Sequence, residues 1–283
     1  MKQLSHHAHA AAFYAEFFSH GPQQRYVLGL NEYANAVAQR IEIKAFVDED
    51  AAGTVHLGKP VIKLNQIPPD SMVISTCHRR KPRSALGSLR RLPGVTSMDY
   101  LAVAQASHGQ LPQVTALAQM QHSHVMHPDK FQWVEDILTD PESREVFKRV
   151  VDFRLHANLR TLDFFSYSPE RIQWESFLKL PPKALVVEAD SSAVGTRALD
   201  NKIIDPIAFA KIDANGNELQ VLHGMAWHIQ EDHPVLAVAV YNNPDHLWQV
   251  PQAVLNICPD YALYLRHYSE GWADTIMYLL PKP

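Results

Sequence analysis

Two cysteines, Cys77 and Cys258, are all that 283 residues contain, and they fall in different apparent domains. That excludes a disulfide framework and reads as two reduced thiols of a cytoplasmic protein. Long apolar runs are missing too. No stretch approaches the ~18 residues a membrane helix needs, and Met1-Lys-Gln-Leu-Ser-His-His-Ala-His9 has no hydrophobic leader core. Positive charge is not in excess: 26 Lys and Arg against 30 Asp and Glu leave a net charge of −4. A whole-surface attraction to nucleic acid or to an anionic membrane is therefore not expected. Glycine is scarce where a nucleotide fold would want it. The stretch Ala184-Leu-Val-Val-Glu-Ala-Asp-Ser-Ser-Ala-Val-Gly-Thr-Arg-Ala-Leu-Asp-Asn201 reads as a buried strand entering a ligand turn, yet its one glycine is Gly195.

What is present describes an ordinary globular chain, 46% hydrophobic and 20% charged, long enough for two domains. Sixteen histidines are the outlier, and they are scattered. His122, His124 and His127 come nearest to a cluster, but Pro128 follows at once and no fourth ligand is near. A structural zinc site wants four ligands at recognisable spacing, so the run is expected to be a polar loop before a helix and no metal is predicted.

The chain predicts an α/β fold of two Rossmann-like units joined by a helical segment, divided near residues 1–110, 111–180 and 181–283. A helix over Ala8–Phe18 ends at Gly21-Pro22. Strands Arg25–Gly29, Ile43–Asp48 and Ser71–Thr76, with a helix over Glu32–Ile41, make a parallel βαβ unit. In the middle, Asp140-Pro141-Glu142 is a helix start with Asp as N-cap and Pro at the first turn. Ser168-Pro169-Glu170 repeats that signal. Strands Ala184–Ala189 and Ile207–Asp213 then resume the pattern, followed by a helix over Glu218–Gln230. A strand over Val235–Tyr241, a helix from Asp245 to Ile257, and the pair Tyr261–His267 and Asp274–Leu280 complete it. The short link Tyr268-Ser-Glu-Gly-Trp272 predicts an antiparallel hairpin.

The runs Phe209–Met225 (FAKIDANGNELQVLHGM), Val235–Leu255 (VLAVAVYNNPDHLWQVPQAVL) and Tyr261–Leu280 (YALYLRHYSEGWADTIMYLL) resemble the last third of FkbM-family methyltransferases. Asp140–Leu155 resembles a helix that precedes that domain, and the amino-terminal βαβ resembles a small domain that some longer members carry. The resemblance implies S-adenosylmethionine as cofactor and a sugar or glycan-type acceptor. Two departures stand out. The turn Val187-Glu-Ala-Asp-Ser-Ser192 keeps the acids Glu188 and Asp190 but no glycine, so backbone cannot come close to a cofactor with φ > 0. The interval from Ala189 to Ile207 holds one crossover, not the additional ribose- and adenine-binding strands of the family. Hence the expectation of a shortened methyltransferase-like sheet, degenerate in cofactor binding, acting as a binding or interaction protein. An active S-adenosylmethionine-dependent O-methyltransferase is one alternative, and a nucleotide or nucleotide-sugar binding module centred on the first domain and its basic stretch is the other.

Each candidate residue carries two readings. Asp213 and Glu218 match the family's D-x-E-G-x-E element, with Asn215 in place of an acid. They could orient a cofactor amine or substrate hydroxyl, or Asp213 could cap the next helix and Glu218 favour its first turn. Tyr241 and Asn242 end the next strand; where the family often has Tyr-His, Asn242 cannot take a proton, and Asp245 is expected to N-cap the helix. Arg266, His267, Tyr268 and Trp272 could grip an anionic or sugar-like acceptor, or fill the hairpin with Arg266 paired to Asp274. In the first domain Gly29 and Asp48 hold the places of a dinucleotide glycine and a ribose-binding acid. Arg79, Arg80, Lys81 and Arg83 could hold a phosphate or nucleotide sugar, or form a solvated loop. A shortened sheet with uncovered edges also predicts a homodimer.

Overall fold

The computed structural model describes residues 6–165, 185–190 and 199–283. It forms two compact units, one of Met1–Thr115 with Ala157–Asp163, the other of Ala116–His156 with Phe164–Pro283.

The first unit opens with α1 (His6–Ser19), β1 (Arg25–Leu28) and α2 (Glu32–Arg40). Next come β2 (Ala45–Val47), β3 (Val55–His56), β4 (Lys59–Ile62) and β5 (Met72–Ser75), then α3 (Pro82–Arg90), β6 (Thr96–Asp99) and α4 (Tyr100–Ala106). The sheet runs β3-β4-β2-β1-β5-β6 and is parallel apart from the β3–β4 hairpin. Tyr26, Val47, Val73 and Leu89 fill one face of it. Arg25, 7% exposed, fixes where α1 ends: its guanidinium donates to Phe17 O (2.8 Å) and Phe18 O (3.1 Å), among the carbonyls a helix terminus leaves open. β2 is shorter than Ile43–Asp48, and the basic stretch is not all loop. Pro82 and Arg83 begin α3, a start that suits proline in the first turn.

The second unit begins with α5 (Thr115–Met126), α6 (Pro128–Ile137) and α7 (Pro141–His156). The expected polar loop at His122 and His124 is therefore helix, and His127 sits at the N-cap position of α6. β7 (Leu185–Ala189), β8 (Ile207–Ile212), α8 (Glu218–His223), α9 (Ala226–Glu231) and β9 (Val235–Ala239) follow. The single helix expected over Glu218–Gln230 is broken at Gly224-Met225 into α8 and α9. α10 (His246–Ile257), β10 (Tyr261–His267) and β11 (Thr275–Pro281) finish the chain. Sheet order is β10-β11-β9-β8-β7: three parallel strands, then β11 antiparallel to β9, then the hairpin partner β10. The turn from Ser168 and the residues around Gly195 lie outside the described residues.

The outer edge of β10 is not left open. Leu138 forms a bridge with Leu263, Thr139 N donates to Leu263 O (2.9 Å), and Leu265 N donates to Ser143 Oγ (2.9 Å). The start of α7 thus covers groups that could otherwise pair with another chain.

Candidate functional site

Strands β8 and β9 deliver Asp213 and Tyr241 just past their carboxyl ends, where an open α/β sheet has its crevice. Tyr241 Oη donates to Asp213 Oδ2 at 2.7 Å. Asn242 Nδ2 donates to Asp213 Oδ1 (3.2 Å) and to Glu218 Oε1 (2.8 Å), so one amide joins the two carboxylates. Glu218 Oε1 also accepts from the amides of Ala214 (3.0 Å) and Gly216 (3.2 Å). Those amides are aimed by a turn in which Asn215 (φ 51) and Gly216 (φ 99) are left-handed, a conformation that suits Asn and Gly. His246 Nδ1 lies 2.9 Å from Glu218 Oε2.

Glu218 and His246 are both buried. Burial alone would raise the Glu218 carboxyl, but His246, the Asn242 amide and the Gly216 amide outweigh it and hold it below the ordinary range. Asp213 does not cap α8: Asn217 stands at that N-cap position, and the Asp213 carboxylate faces Tyr241 and Asn242 instead. Asp245 sits at the N-cap position of α10 without a side-chain capping bond. Its Oδ1 instead accepts from Ser123 Oγ and from Trp248 Nε1 (3.3 Å).

The other expected site residues have other partners. Arg266 does not pair with Asp274. It meets Asp140 Oδ2 (2.7 Å) and Glu142 Oε2 (3.1 Å) and donates to Ser143 Oγ (2.8 Å), fastening α7 to the β10 edge. Asp140 also accepts from Ser143 N (2.6 Å), the expected N-cap. Burial pushes the Asp140 carboxyl up, but hydrogen bonds from Arg266 and Ser143 reverse that and bring it to about 2. His267 is 7% exposed, with Nδ1 2.9 Å from Thr275 Oγ1 and its ring edge-on to Phe165. Burial, then the cation of Arg154, brings its imidazole down to about 3. Tyr268 and Tyr278 join hydroxyls at 3.0 Å, and Trp272 lies with its ring 6.0 Å from that of Tyr241, beside Asp213. Glu188 accepts from Lys211 Nζ on the neighbouring strand at 3.2 Å, and Asp190 is exposed just past β7.

In the first unit the residues read as dinucleotide-binding serve the fold. Gly29 has φ 107, and a Cβ there would come within 2.5 Å of Thr76 Oγ1, so its glycine keeps β1 against the end of β5. The free amides of α2 that a phosphate would use are taken by Asn31 Oδ1, which accepts from Tyr33 N (3.1 Å) and Ala34 N (3.0 Å). Asp48 Oδ1 accepts from its own turn amides, Asp50 (3.1 Å) and Ala51 (2.9 Å). Arg79 and Arg80 are exposed, while Arg83 pairs with Asp163 at 3.3 Å.

Two buried groups of the second unit, His246 beside Glu218 and Arg154 beside His267, had no motif to announce them. His246 had one usable cue, a titratable side chain opening the helix that follows a crevice strand. Arg154 had none, because its helix reads as amphipathic and only the tertiary fold turns that position inward.

These ionisations set a direction for acid stability. His267 (about 3) and His78, which burial and then Arg79 bring to about 4, refuse protons that unfolded imidazoles accept below about 6.5. Both folded values are depressed, so stability is full above about pH 6.5 and falls as pH drops toward the folded values. The paired carboxylates Asp140 and Glu218 add a second loss below about pH 4. Urea midpoints measured from about pH 7 down to pH 3 are expected to fall throughout; a flat profile between about pH 6.5 and 4.5 would remove the histidine contribution.

No protein-family profile and no curated protein sequence matches the chain. A solved structure does: methyltransferase FkbM from Methylobacillus flagellatus KT superposes with a TM-score of 0.69 at 19% identity, over 96% of this chain and 93% of that one. No helix among the described residues is long and apolar enough to cross a membrane. The arrangement of strands, crevice and hairpin described above is thus that of an FkbM-type methyltransferase fold.

Proposed function

We propose that this chain is a methyltransferase-fold protein that no longer holds the methyl donor and works by binding. The observation that carries the reading is the length of one crossover. β7 and β8 are adjacent parallel strands, and only residues 190–206 join them. The resemblance to FkbM methyltransferases implies further strands and helices between these two, to floor the ribose and adenine of S-adenosylmethionine, whereas the FkbM structure that superposes is itself covered to 93% by this chain. One parallel crossover takes about a dozen residues by itself, so this interval has none to give to further strands. The side chains fit the cofactor no better: Glu188, one of the acids kept at the expected cofactor turn, is bonded to Lys211. Asp213 and Glu218 are tied together through Asn242.

What remains partly exposed at the crevice is the Trp272 ring and the Asp213 carboxylate, which lie against the buried Tyr241. Aromatic faces with carboxylate acceptors suit a sugar or glycan-type ligand, whose C–H face stacks while its hydroxyls donate. Thermal unfolding with and without 1 mM S-adenosylmethionine tests the loss of the donor. No shift is expected. A cofactor bound a thousandfold below that concentration would add ~4 kcal/mol and raise the midpoint by several degrees, which would restore the methyl-transfer reading.

A further inference from the structure

The first unit contains a cavity of about 550 Å³ enclosed by α1, α3, β6 and the short 3-10 turn Leu159–Leu162. That volume lies within the range of small-molecule sites. Its apolar lining comes from Phe13 on α1, Leu86 on α3, Met98 on β6 and Leu159. Three arginines, Arg83, Arg90 and Arg160, also face it.

Three carboxylates line the same cavity, and two of them, Asp163 and Asp99, are already engaged. Asp163 pairs with Arg83 (3.3 Å), Asp99 caps α4 through the Ala102 amide (2.9 Å), and Glu16 lies 4.0 Å from His20. Arg90 and Arg160, by contrast, have no carboxylate at ion-pair distance among the described residues. One wall also holds Ser97, whose buried hydroxyl finds no hydrogen-bond partner among the described residues. A cavity with an apolar lining and two uncompensated guanidiniums is complementary to a molecule with an apolar body and one anionic head. Guanidiniums in particular match the oxygens of a phosphate in paired hydrogen bonds.

We propose that this cavity is a binding site for a phosphomonoester with a compact apolar or aromatic body, held at its phosphate by Arg90 and Arg160. The site is separate from the crevice of the second unit and does not depend on whether S-adenosylmethionine binds there. Both arginine side chains are exposed at the surface, so their removal leaves the core of the unit untouched.

Calorimetric titration of the full chain with phenyl phosphate is the test. Binding tighter than about 1 mM is expected, weakened at least about tenfold in Arg90→Ala/Arg160→Ala. It should be unchanged in Lys44→Ala/Lys63→Ala, which removes two exposed cations outside the cavity. Phenol and inorganic phosphate, titrated separately, should each bind more weakly than phenyl phosphate. Three results would each overturn the proposal: no binding, equal loss in both double variants, or inorganic phosphate binding as tightly as its phenyl ester. Circular dichroism showing an unchanged melting midpoint for the arginine variant keeps the comparison one of binding rather than folding.

Discussion

Arg154→Ala is expected to destabilise the chain by about 3–5 kcal/mol, the largest effect of any single change considered. The side chain is 2% exposed, and no carboxylate pairs with it among the described residues. It donates instead to Val240 O (3.1 Å) and to Thr275 Oγ1 (3.3 Å), joining α7 to the end of β9 and the start of β11. Burial without a counter-ion brings its guanidinium down to about 9. Alanine would remove most of a long side chain from a packed interior and strip a donor from two buried acceptors. Arg154→Met separates the two contributions, because it keeps the volume and removes the desolvated charge. Methionine is expected to recover at least half of the loss in urea unfolding. An alanine variant within about 1 kcal/mol of the parent would mean that α7 is not locked to the sheet in this way.

Asn242→Asp is expected to cost about 2–4 kcal/mol at neutral pH, although it changes one amide to an acid of nearly the same shape. The Asn242 amide is the donor shared by Asp213 and Glu218. An aspartate there would put a third carboxylate against two others, one of them fully buried. The sign can be checked. The new carboxyl would have its folded value raised above the ordinary one, so folding would take up a proton. The destabilisation should therefore be full at neutral pH and shrink as pH falls through that raised value. Urea midpoints of parent and variant that draw together as pH falls and converge only below about pH 4, near the unfolded aspartate value, are the expected outcome. A penalty independent of pH would show that shape, not charge, sets residue 242.

How much of this could be read from the residues depends on whether the signal was local. Asp140-Pro141-Glu142 announces α7 because N-cap, proline and acid all act within one turn, and Asp140 does cap it through Ser143 N. The hairpin of β10 and β11 was equally legible, since strand alternation and a short link decide it together. The partner of Arg266 was not. Asp274 is near in sequence and lies across the hairpin, but the acids that hold Arg266 begin a helix more than a hundred residues earlier, at Asp140. The basic stretch from His78 failed for a different reason. Its charges suggested a loop, while Pro82 with Leu86 and Leu89 supplied a helix start and a buried face. In the second unit Asp213, Glu218, Tyr241 and Asn242 were each visible as residues at strand ends. Their union through a single amide was not, because it depends on how far β9 advances past β8.

The account rests on the proposal that the segment after β7 does not hold an adenosyl group, and calorimetric titration with S-adenosylmethionine at about 25 °C tests that most directly. The prediction is a dissociation constant no tighter than about 1 mM, unchanged in Glu188→Ala. A micromolar constant that weakens tenfold or more in Glu188→Ala would contradict it and place the methyl donor at the end of β7 after all.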